Sequence, residues 1–195
     1  MSILKDFFKE CLTLPWKPNS QNDPEHENQV EELLKKHGLK YIAQPNGIQQ
    51  SPDFRIYYDG AYDEILECVG YKKTIDVECK SSKQAKPMYN GGLPKLGVFY
   101  VFSSQKYDST TIYLADDIIA DKKRELYSQY LIEQDELLQK FRNLEDWKDV
   151  RGFDFYNRAM YTQSGGADKT DYFQHFDRAR CEHNVLDIME KIDGS

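Results

Sequence analysis

The chain has 195 residues, of which 39% are hydrophobic, 30% charged and 13% aromatic, and its formal net charge at pH 7 is −7. This length fits one domain or a core with a modest appendage, and the aromatic content excludes a disordered chain. No window approaches the roughly 18 apolar residues of a membrane span, and the first residues lack the apolar run of a signal peptide. We therefore expect a cytoplasmic protein with no membrane partner.

Two helices are predicted ahead of the first strand. Apolar residues at helical spacing predict a short amphipathic helix over residues 2–12. Asp23 followed by Pro24 is typical of a helix N-cap with proline at the first helical position. Apolar residues continue this second helix as far as Gly38, where a glycine at the C-terminal end is expected to stop it.

After Gly38 the apolar residues take the period of two that is typical of strands. In residues 73–80 the alternation is regular, so the apolar side chains point to one face and Asp76, Glu78 and Lys80 to the other. Residues 97–102 are almost all apolar and predict a strand covered on both faces. The predicted strands are 39–43, 53–58, 64–69, 73–80, 97–102 and 110–114.

The last third of the chain is predicted to be mainly helical. Residues 117–144 are rich in Leu, Glu, Lys and Gln and indicate a long helix with one break, and residues 171–191 indicate a final helix. Residues 152–161 are ambiguous. A helix, then strands, then helices predict an α/β fold with a central mixed β-sheet flanked by helices and a helical C-terminal region.

Three residues at the predicted strand ends could carry chemistry. Asp53 begins one strand directly after Pro52, and Glu78 and Lys80 share a face of another because they lie two residues apart. If these strands pair, the three side chains converge at one end of the sheet. Carboxylates bind Mg²⁺, which polarises a phosphoryl group and activates a bound water. Lys80 would act electrostatically and orient that water rather than serve as a strong general base.

Pro52-Asp53 and Glu78-Cys79-Lys80 make the chain resemble the PD-(D/E)xK nuclease superfamily over roughly residues 24–115. In that superfamily a helix ahead of the Pro-Asp strand often carries one more acidic residue at the site. Glu27 fits this place best because it lies along the inward stripe of its predicted helix, and Glu31 is the second choice. The short D/E-x-K pattern recurs at 121–123 and 146–148, but in helix-like stretches without a Pro-Asp strand ahead of them.

The resemblance implies a restriction-endonuclease-like core with Asp53, Glu78 and Glu27 as Mg²⁺ ligands. It is closest to a Type II restriction endonuclease, which cuts double-stranded DNA at a short sequence. Such enzymes usually act as symmetric homodimers on palindromic sites. The chain would then be a single nuclease domain over 1–195, with a catalytic core over about 24–115 and a recognition or dimerisation region over about 116–195.

A basic segment surrounds the proposed site. Between Lys72 and Lys106 seven lysines stand against two acidic residues, a net charge of +5 inside an acidic protein. Residues 81–95 are predicted to form a loop, either an ordinary surface connection or, as we prefer, a DNA contact, because it follows Lys80 directly. Lysines suit phosphates, asparagine suits base edges and tyrosine suits stacking. The predicted DNA contacts are Lys83, Lys86, Tyr89, Asn90 and Lys95.

Other interpretations stay open. A nuclease of the same superfamily could act in repair, recombination or phage DNA processing, on branched, nicked or terminal DNA. A non-catalytic DNA-binding protein could keep the same fold. A thiol enzyme using Cys79 has little support, because no histidine partner is evident. We expect free thiols at Cys11, Cys68, Cys79 and Cys181, and we expect Arg151, Arg158, Arg178 and Arg180 to pair with nearby acidic residues rather than read DNA.

Overall fold

The structure is a computed structural model. It describes residues 2–20, 23–48, 50–58, 74–90, 92–155, 159–162, 173 and 176–194. The strand predicted over 64–69 lies outside the described residues, as do Cys68, Lys72, Lys73 and Arg158 and most of the residues 171–177 that were predicted to begin the final helix.

Two helices precede the sheet, as predicted. Helix α1 spans Ile3–Cys11 and buries four side chains in the core. Its N-cap is Ser2, whose hydroxyl accepts a 3.0 Å hydrogen bond from the Lys5 N–H. Helix α2 spans Glu25–Lys36 and is followed by Gly38, whose φ of +66° is the left-handed conformation expected there.

The prediction for the start of α2 was wrong by one residue. The N-cap position is held by Pro24, without a side-chain cap, rather than by Asp23. The backbone of Asp23 instead makes two hydrogen bonds with that of Ser20, of 2.9 and 3.0 Å. These bonds hold Asp23 in a tight bridge ahead of the helix, which leaves the first turn to begin after the proline.

The described strands form a mixed five-stranded sheet and a separate two-stranded pair. In chain order they are β1 Lys40–Ala43, β2 Phe54–Tyr57, β3 Thr74–Ser82, β4 Met88–Asn90, β5 Val98–Ser104, β6 Ser109–Leu114 and β7 Met160–Thr162. The large sheet has the order β1-β2-β3-β5-β6, and its β3–β5 pair is parallel while its other pairs are antiparallel. The coarse prediction of an α/β fold with a mixed sheet is therefore confirmed.

Strands β3 and β5 form the centre of the sheet. Along β3 the residues Ile75, Val77 and Cys79 are buried in the main core, whereas Lys80 on the opposite face stays partly exposed. Every residue of β5 is buried, which confirms a strand covered on both faces. Because β3 is central, any polar side chain on its second face lies at the middle of the molecule rather than at an edge.

The segment after β3 differs from its prediction. Residues 81–95 were predicted to be a loop, but Ser81 and Ser82 extend β3, and β4 pairs with β7 about 70 residues further along the chain. Strand β4 has only three residues, too few for a periodic pattern that would predict a strand or its distant partner. The segment therefore folds back against the sheet instead of projecting freely.

The C-terminal region contributes to the core. Helix α3 spans Ala115–Ile118, helix α4 spans Asp121–Arg142 with the predicted break ahead of it, a 3-10 turn spans Glu145–Trp147, and helix α5 spans Arg178–Gly194. Helix α5 packs against β6 and α1 and buries Val185, Met189 and Ile192 completely. The hydrophobic core thus includes side chains from α1 and α5 as well as from residues 24–115. Among the helices that the structure describes, none has both the length and the apolar character that a membrane crossing requires.

Met189→Ala is expected to lower the free energy of unfolding by about 2–5 kcal/mol, since it leaves a cavity among fully buried side chains. Ile132→Ala, on the exposed surface of α4, is the control and should change it by less than about 0.5 kcal/mol. Urea denaturation followed by circular dichroism measures both. Equal small effects would contradict a core that includes α5.

Candidate active site

Asp53 lies at the junction of β2 and β3. It immediately precedes Phe54, which pairs with Val77, so Asp53 stands beside Glu78 on the neighbouring strand. Its Oδ2 accepts a hydrogen bond of 2.6 Å from the backbone N–H of Cys79. Strand pairing, rather than a flexible loop, therefore fixes the direction of this carboxylate.

Glu78 and Lys80 form an ion pair on the same face of β3. The Lys80 Nζ donates to Glu78 Oε1 at 2.5 Å, and the two side chains are 28% and 8% exposed respectively. The second oxygen, Glu78 Oε2, is buried without a hydrogen-bond partner in the structure. A buried carboxylate oxygen with no partner is costly, and such atoms in native proteins call for an explanation such as an ion or a water.

Glu27 enters the same region from α2. The Asn19 Nδ2 donates to Glu27 Oε1 at 2.9 Å, and the Glu27 N–H donates to Asn19 Oδ1 at 3.3 Å. Burial raises the pKa of Glu27, and the negative charge of Glu78 adds to this, while the Asn19 hydrogen bond and the positive charge of Lys80 oppose it. Glu27 is thus electrostatically coupled to both charged residues of β3.

Glu31, the second choice for the acid on α2, has other partners. The Tyr41 hydroxyl donates to Glu31 Oε1 at 2.6 Å, and Lys35 Nζ lies 3.1 Å from Glu31 Oε2. The hydrogen bond from Tyr41 lowers the pKa of Glu31 and Lys35 adds to this effect. The geometry therefore favours Glu27 over Glu31.

A cleft of about 750 Å³ joins these elements. Glu27, Asp53 and Lys80 all line it, whereas Glu78 is buried and takes no part in the wall. The rest of the wall includes Glu31, the two large apolar residues Ile48 and Phe54, and four residues with side-chain amides, which are Asn19, Asn28, Gln44 and Asn90. The structure therefore brings the four residues singled out in the sequence to one place, three at the cleft surface and one beneath it.

The crowding of carboxylates dominates the electrostatics of the cleft. Burial, followed by the negative charges of Glu78 and Glu27, raises the pKa of Asp53 to about 8, although the Cys79 N–H and Lys80 oppose this. A single lysine does not balance three carboxylates that approach one another in a partly dehydrated site. A divalent cation would relieve this repulsion directly.

The carboxylates do not form a complete metal cage by themselves. Within the described residues, no group of three or more His, Cys, Asp or Glu side chains is spaced to hold a metal ion. Mg²⁺ needs no such group, since it usually takes one or two carboxylates and completes its shell with waters and substrate phosphates. The hard oxygen donors of Asp53 and Glu27 and the unpartnered Glu78 Oε2 fit that requirement.

Four of the five predicted DNA contacts are exposed or partly buried, and the fifth, Tyr89, is buried. Lys83 and Asn90 are exposed, Asn90 at the cleft, and Lys86 is partly buried. Lys95 is exposed, and its Nζ donates to the Ser51 carbonyl at 3.2 Å, so it flanks the turn that carries Asp53. Four of the five positions therefore remain compatible with the prediction.

Tyr89 is a correction. Its side chain is 6% exposed, its hydroxyl lies 2.5 Å from the Tyr113 hydroxyl, and its ring packs edge-on against Tyr100. The pairing of β4 with β7 turns this side chain inward. Tyr89 cannot stack on a base and belongs to a buried tyrosine cluster.

Other candidates from the sequence are structural. Three of the four C-terminal arginines lie within the described residues, and each pairs with an acidic residue as expected: Arg151 with Asp149, Arg178 with Glu182, and Arg180 with Asp177 and Asp117. The two decoy D/E-x-K patterns start in α4 and in the 3-10 turn, and neither lines the cleft.

If the cleft hydrolyses DNA, as the sequence predicts, Cys79→Ala should keep the rate within about a factor of three of that of the wild type, a change of less than about 1 kcal/mol in the barrier. The side chain is buried in the main core on the face away from Lys80, and burial raises the pKa of its thiol well above the usual value. Only its backbone N–H serves the site. Cleavage rates of the purified variant check this, and a 100-fold loss in a folded variant would revive the thiol mechanism.

Asn19 is the site residue that sequence reasoning missed. It lies in a loop, eight residues ahead of Glu27, and no periodic pattern links the two positions. Its hydrogen bonds with Glu27 complete a cleft in which three carboxylates, one lysine and several amides meet.

Comparisons with protein-family models, with curated proteins and with solved structures found no match to this chain.

Proposed function

We propose that this protein is a Mg²⁺-dependent endonuclease that hydrolyses phosphodiester bonds of double-stranded DNA at a short specific sequence, as Type II restriction endonucleases do. The observation that carries the proposal is the convergence of Asp53, Glu27 and Lys80 on one cleft, with Glu78 paired to Lys80 beneath it. The side chains come from three separate elements, which makes a chance surface cluster a poor explanation.

Asp53, Glu27 and Glu78 are the residues that would hold the magnesium ion. Bound there, the ion would supply Lewis-acid polarisation of the phosphoryl group and would lower the pKa of a water at the site. The protein's own part is to present the oxygens. The Cys79 N–H holds Asp53, and Asn19 holds Glu27.

Lys80 would stabilise the negative charge that develops on the phosphorus oxygens. Its ammonium group is fixed by Glu78 Oε1 and lines the cleft, so it does not have to be reorganised when the substrate arrives. A preorganised charge in a partly dehydrated cleft acts more strongly than the same charge in water. Lys80 would also orient the attacking water by hydrogen bonding.

Cations outside the cleft would position the DNA backbone. Lys83 follows the end of β3, and Lys95 contacts the Ser51 carbonyl beside Asp53, so both lie near the site. Contacts of this kind fix the register of a duplex without reading its sequence. Asn90, at the cleft, has an amide that suits base edges or the sugar-phosphate backbone. The net charge of −7 would limit binding to random DNA elsewhere on the surface.

A homodimer is part of the proposal, because palindromic sites are cut by symmetric enzymes. Helix α4 supports it: the helix buries no side chain in the single chain and exposes Leu126, Tyr130, Leu137 and Phe141. Sedimentation equilibrium, with and without DNA, measures the stoichiometry. A strict monomer on cleaved DNA would remove this part and leave the nuclease assignment in place.

Digestion of several long DNAs by the purified protein with Mg²⁺ tests the proposal. Discrete fragments that reproduce between preparations support a sequence-specific endonuclease. A smear keeps the nuclease and removes the restriction assignment. Cleavage of branched or nicked duplexes alone would favour a repair or DNA-processing role, and intact DNA throughout would leave a binding protein.

A further inference from the structure

Asn19 makes two hydrogen bonds to the same residue. Its amide nitrogen donates to the Glu27 carboxylate at 2.9 Å, and its amide oxygen accepts from the Glu27 backbone N–H at 3.3 Å. Asn19 is itself partly buried and lines the cleft. The pair of bonds fixes both the backbone and the free end of the Glu27 side chain, so this acid has little freedom to swing away.

The loop that carries Asn19 is fastened to the strand that carries Lys80. The Ser81 hydroxyl donates to the Lys17 carbonyl at 2.7 Å and accepts from the Trp16 indole N–H at 3.0 Å. On the other side, the Pro18 carbonyl accepts from the His26 N–H at 3.0 Å. The loop is thus tied to β3 one residue after Lys80 and to the first turn of α2.

Capping of α2 explains only one of the two hydrogen bonds between Asn19 and Glu27. The bond from the Glu27 N–H to Asn19 resembles the bond of an N-cap and stabilises the helix start. The bond from the Asn19 amide to the Glu27 carboxylate satisfies no orphan helix group. It ties the Glu27 carboxylate to the loop and favours its ionised form, which burial and the negative charge of Glu78 oppose.

We propose that Asn19 is a positioning residue that holds the Glu27 carboxylate in place for a divalent cation. The loop that carries Asn19 is itself held by hydrogen bonds to Ser81. The inference rests on the proposed function and deepens it. It names the Asn19 amide as the group that links Glu27 of α2 to the loop held by β3. Partners that orient a metal ligand through a hydrogen bond commonly contribute about 10–100-fold to metal affinity.

A double-mutant cycle on cation binding tests this without any measurement of cleavage. Mn²⁺ is titrated into DNA-free protein and the free ion is followed by electron paramagnetic resonance, for the wild type, Asn19→Ala, Glu27→Gln and the double variant. We expect Asn19→Ala to weaken Mn²⁺ binding about tenfold in the wild-type background. In the Glu27→Gln background the same change should have an effect of less than about twofold, because its target is already lost.

Asn28→Ala is the matched control. Asn28 is an exposed asparagine that follows Glu27 directly in α2 and lines the same cleft. Its removal should leave the Mn²⁺ affinity unchanged. The melting temperature without cations measures separately how much stability the loss of the cap on α2 costs. If Asn19→Ala does not fold, Asn19→Ser is used for the same test.

The outcomes distinguish the positioning role of Asn19 from the proposed function. Equal losses from Asn19→Ala in both backgrounds, or a loss from Asn28→Ala of the same size, would overturn the positioning role while the wild type still binds Mn²⁺. A wild type that binds no Mn²⁺ without DNA would overturn this inference, whereas the proposed function is decided separately by the digestion of DNA with Mg²⁺. Coupling confined to the Asn19–Glu27 pair would support both.

Discussion

Replacing Lys80 by glutamine is expected to reduce the rate of DNA cleavage about 100- to 1,000-fold and to leave the fold intact. Lys80 is the cation that lines the cleft beside Asp53 and Glu27. In the proposed reaction its loss would remove the preorganised charge that faces the negative charge developing on the phosphorus oxygens. The variant can still donate an amide hydrogen bond to Glu78, so the buried carboxylate keeps a partner.

The choice of substitution matters for the interpretation. Lys80→Ala would leave Glu78, whose side chain is 8% exposed, without its ion-pair partner. Breaking a buried pair in this way can cost about 3–5 kcal/mol of stability, and a loss of activity would then be ambiguous. Lys123→Gln, within the decoy pattern 121–123 on the exposed face of α4, is the matched control and should cleave as the wild type does. A Lys80→Gln variant with wild-type activity would reject the assigned role.

Asp53→Asn is expected to abolish cleavage and, at the same time, to stabilise the metal-free protein. Asparagine keeps an oxygen that can accept the Cys79 N–H, so the strand junction is preserved. It removes a carboxylate whose ionisation burial and the charges of Glu78 and Glu27 oppose. When a group serves function at a cost to stability, its removal lowers the activity and raises the stability.

The pH dependence follows from the raised pKa of Asp53. Its value is about 8 in the folded protein against an ordinary value of 3.8, so between these values the folded protein keeps a proton that the unfolded chain has released. The Asp53 contribution to stability is therefore complete below about pH 4 and declines as the pH rises to about 8. The asparagine variant lacks this decline.

Thermal unfolding in EDTA at several pH values measures the difference. One unit of pKa difference corresponds to about 1.4 kcal/mol, and 1 kcal/mol shifts the melting temperature of a chain of this size by about 2–4 °C. We expect the gain from Asp53→Asn to be smallest near pH 5 and to reach at least about 5 °C near pH 8. Mg²⁺ should then raise the melting temperature of the wild type more than that of the variant. A variant that melts below the wild type at pH 8 would contradict the electrostatic description.

Short-range patterns explain what the sequence could predict about the site. Glu78 and Lys80 share a face because a strand has a period of two, and Asp53 stands beside Glu78 because β2 and β3 pair in the expected way. The helical stripe correctly placed Glu27 towards the cleft. Each of these inferences needs only the local period and one strand pairing.

The missed features all depend on contacts between distant parts of the chain. Tyr89 is buried because β4 pairs with β7, and those strands are about 70 residues apart. Asn19 reaches Glu27 because Ser81 fixes its loop from the far end of β3. Helix α5 belongs to the core through its packing on α1 and β6. Periodicity within one element carries no information about such partners.

We infer that this cleft hydrolyses phosphodiester bonds with the help of a divalent cation. The most direct test strips the wild-type protein with EDTA and follows the hydrolysis of plasmid, linear and branched duplexes before and after Mg²⁺ is restored. We expect no cleavage in EDTA, full recovery with Mg²⁺ in the wild type, recovery at least about 100-fold slower in Lys80→Gln, and none in Asp53→Asn. Hydrolysis that persists in EDTA, or intact DNA of every kind with Mg²⁺ present, would contradict it.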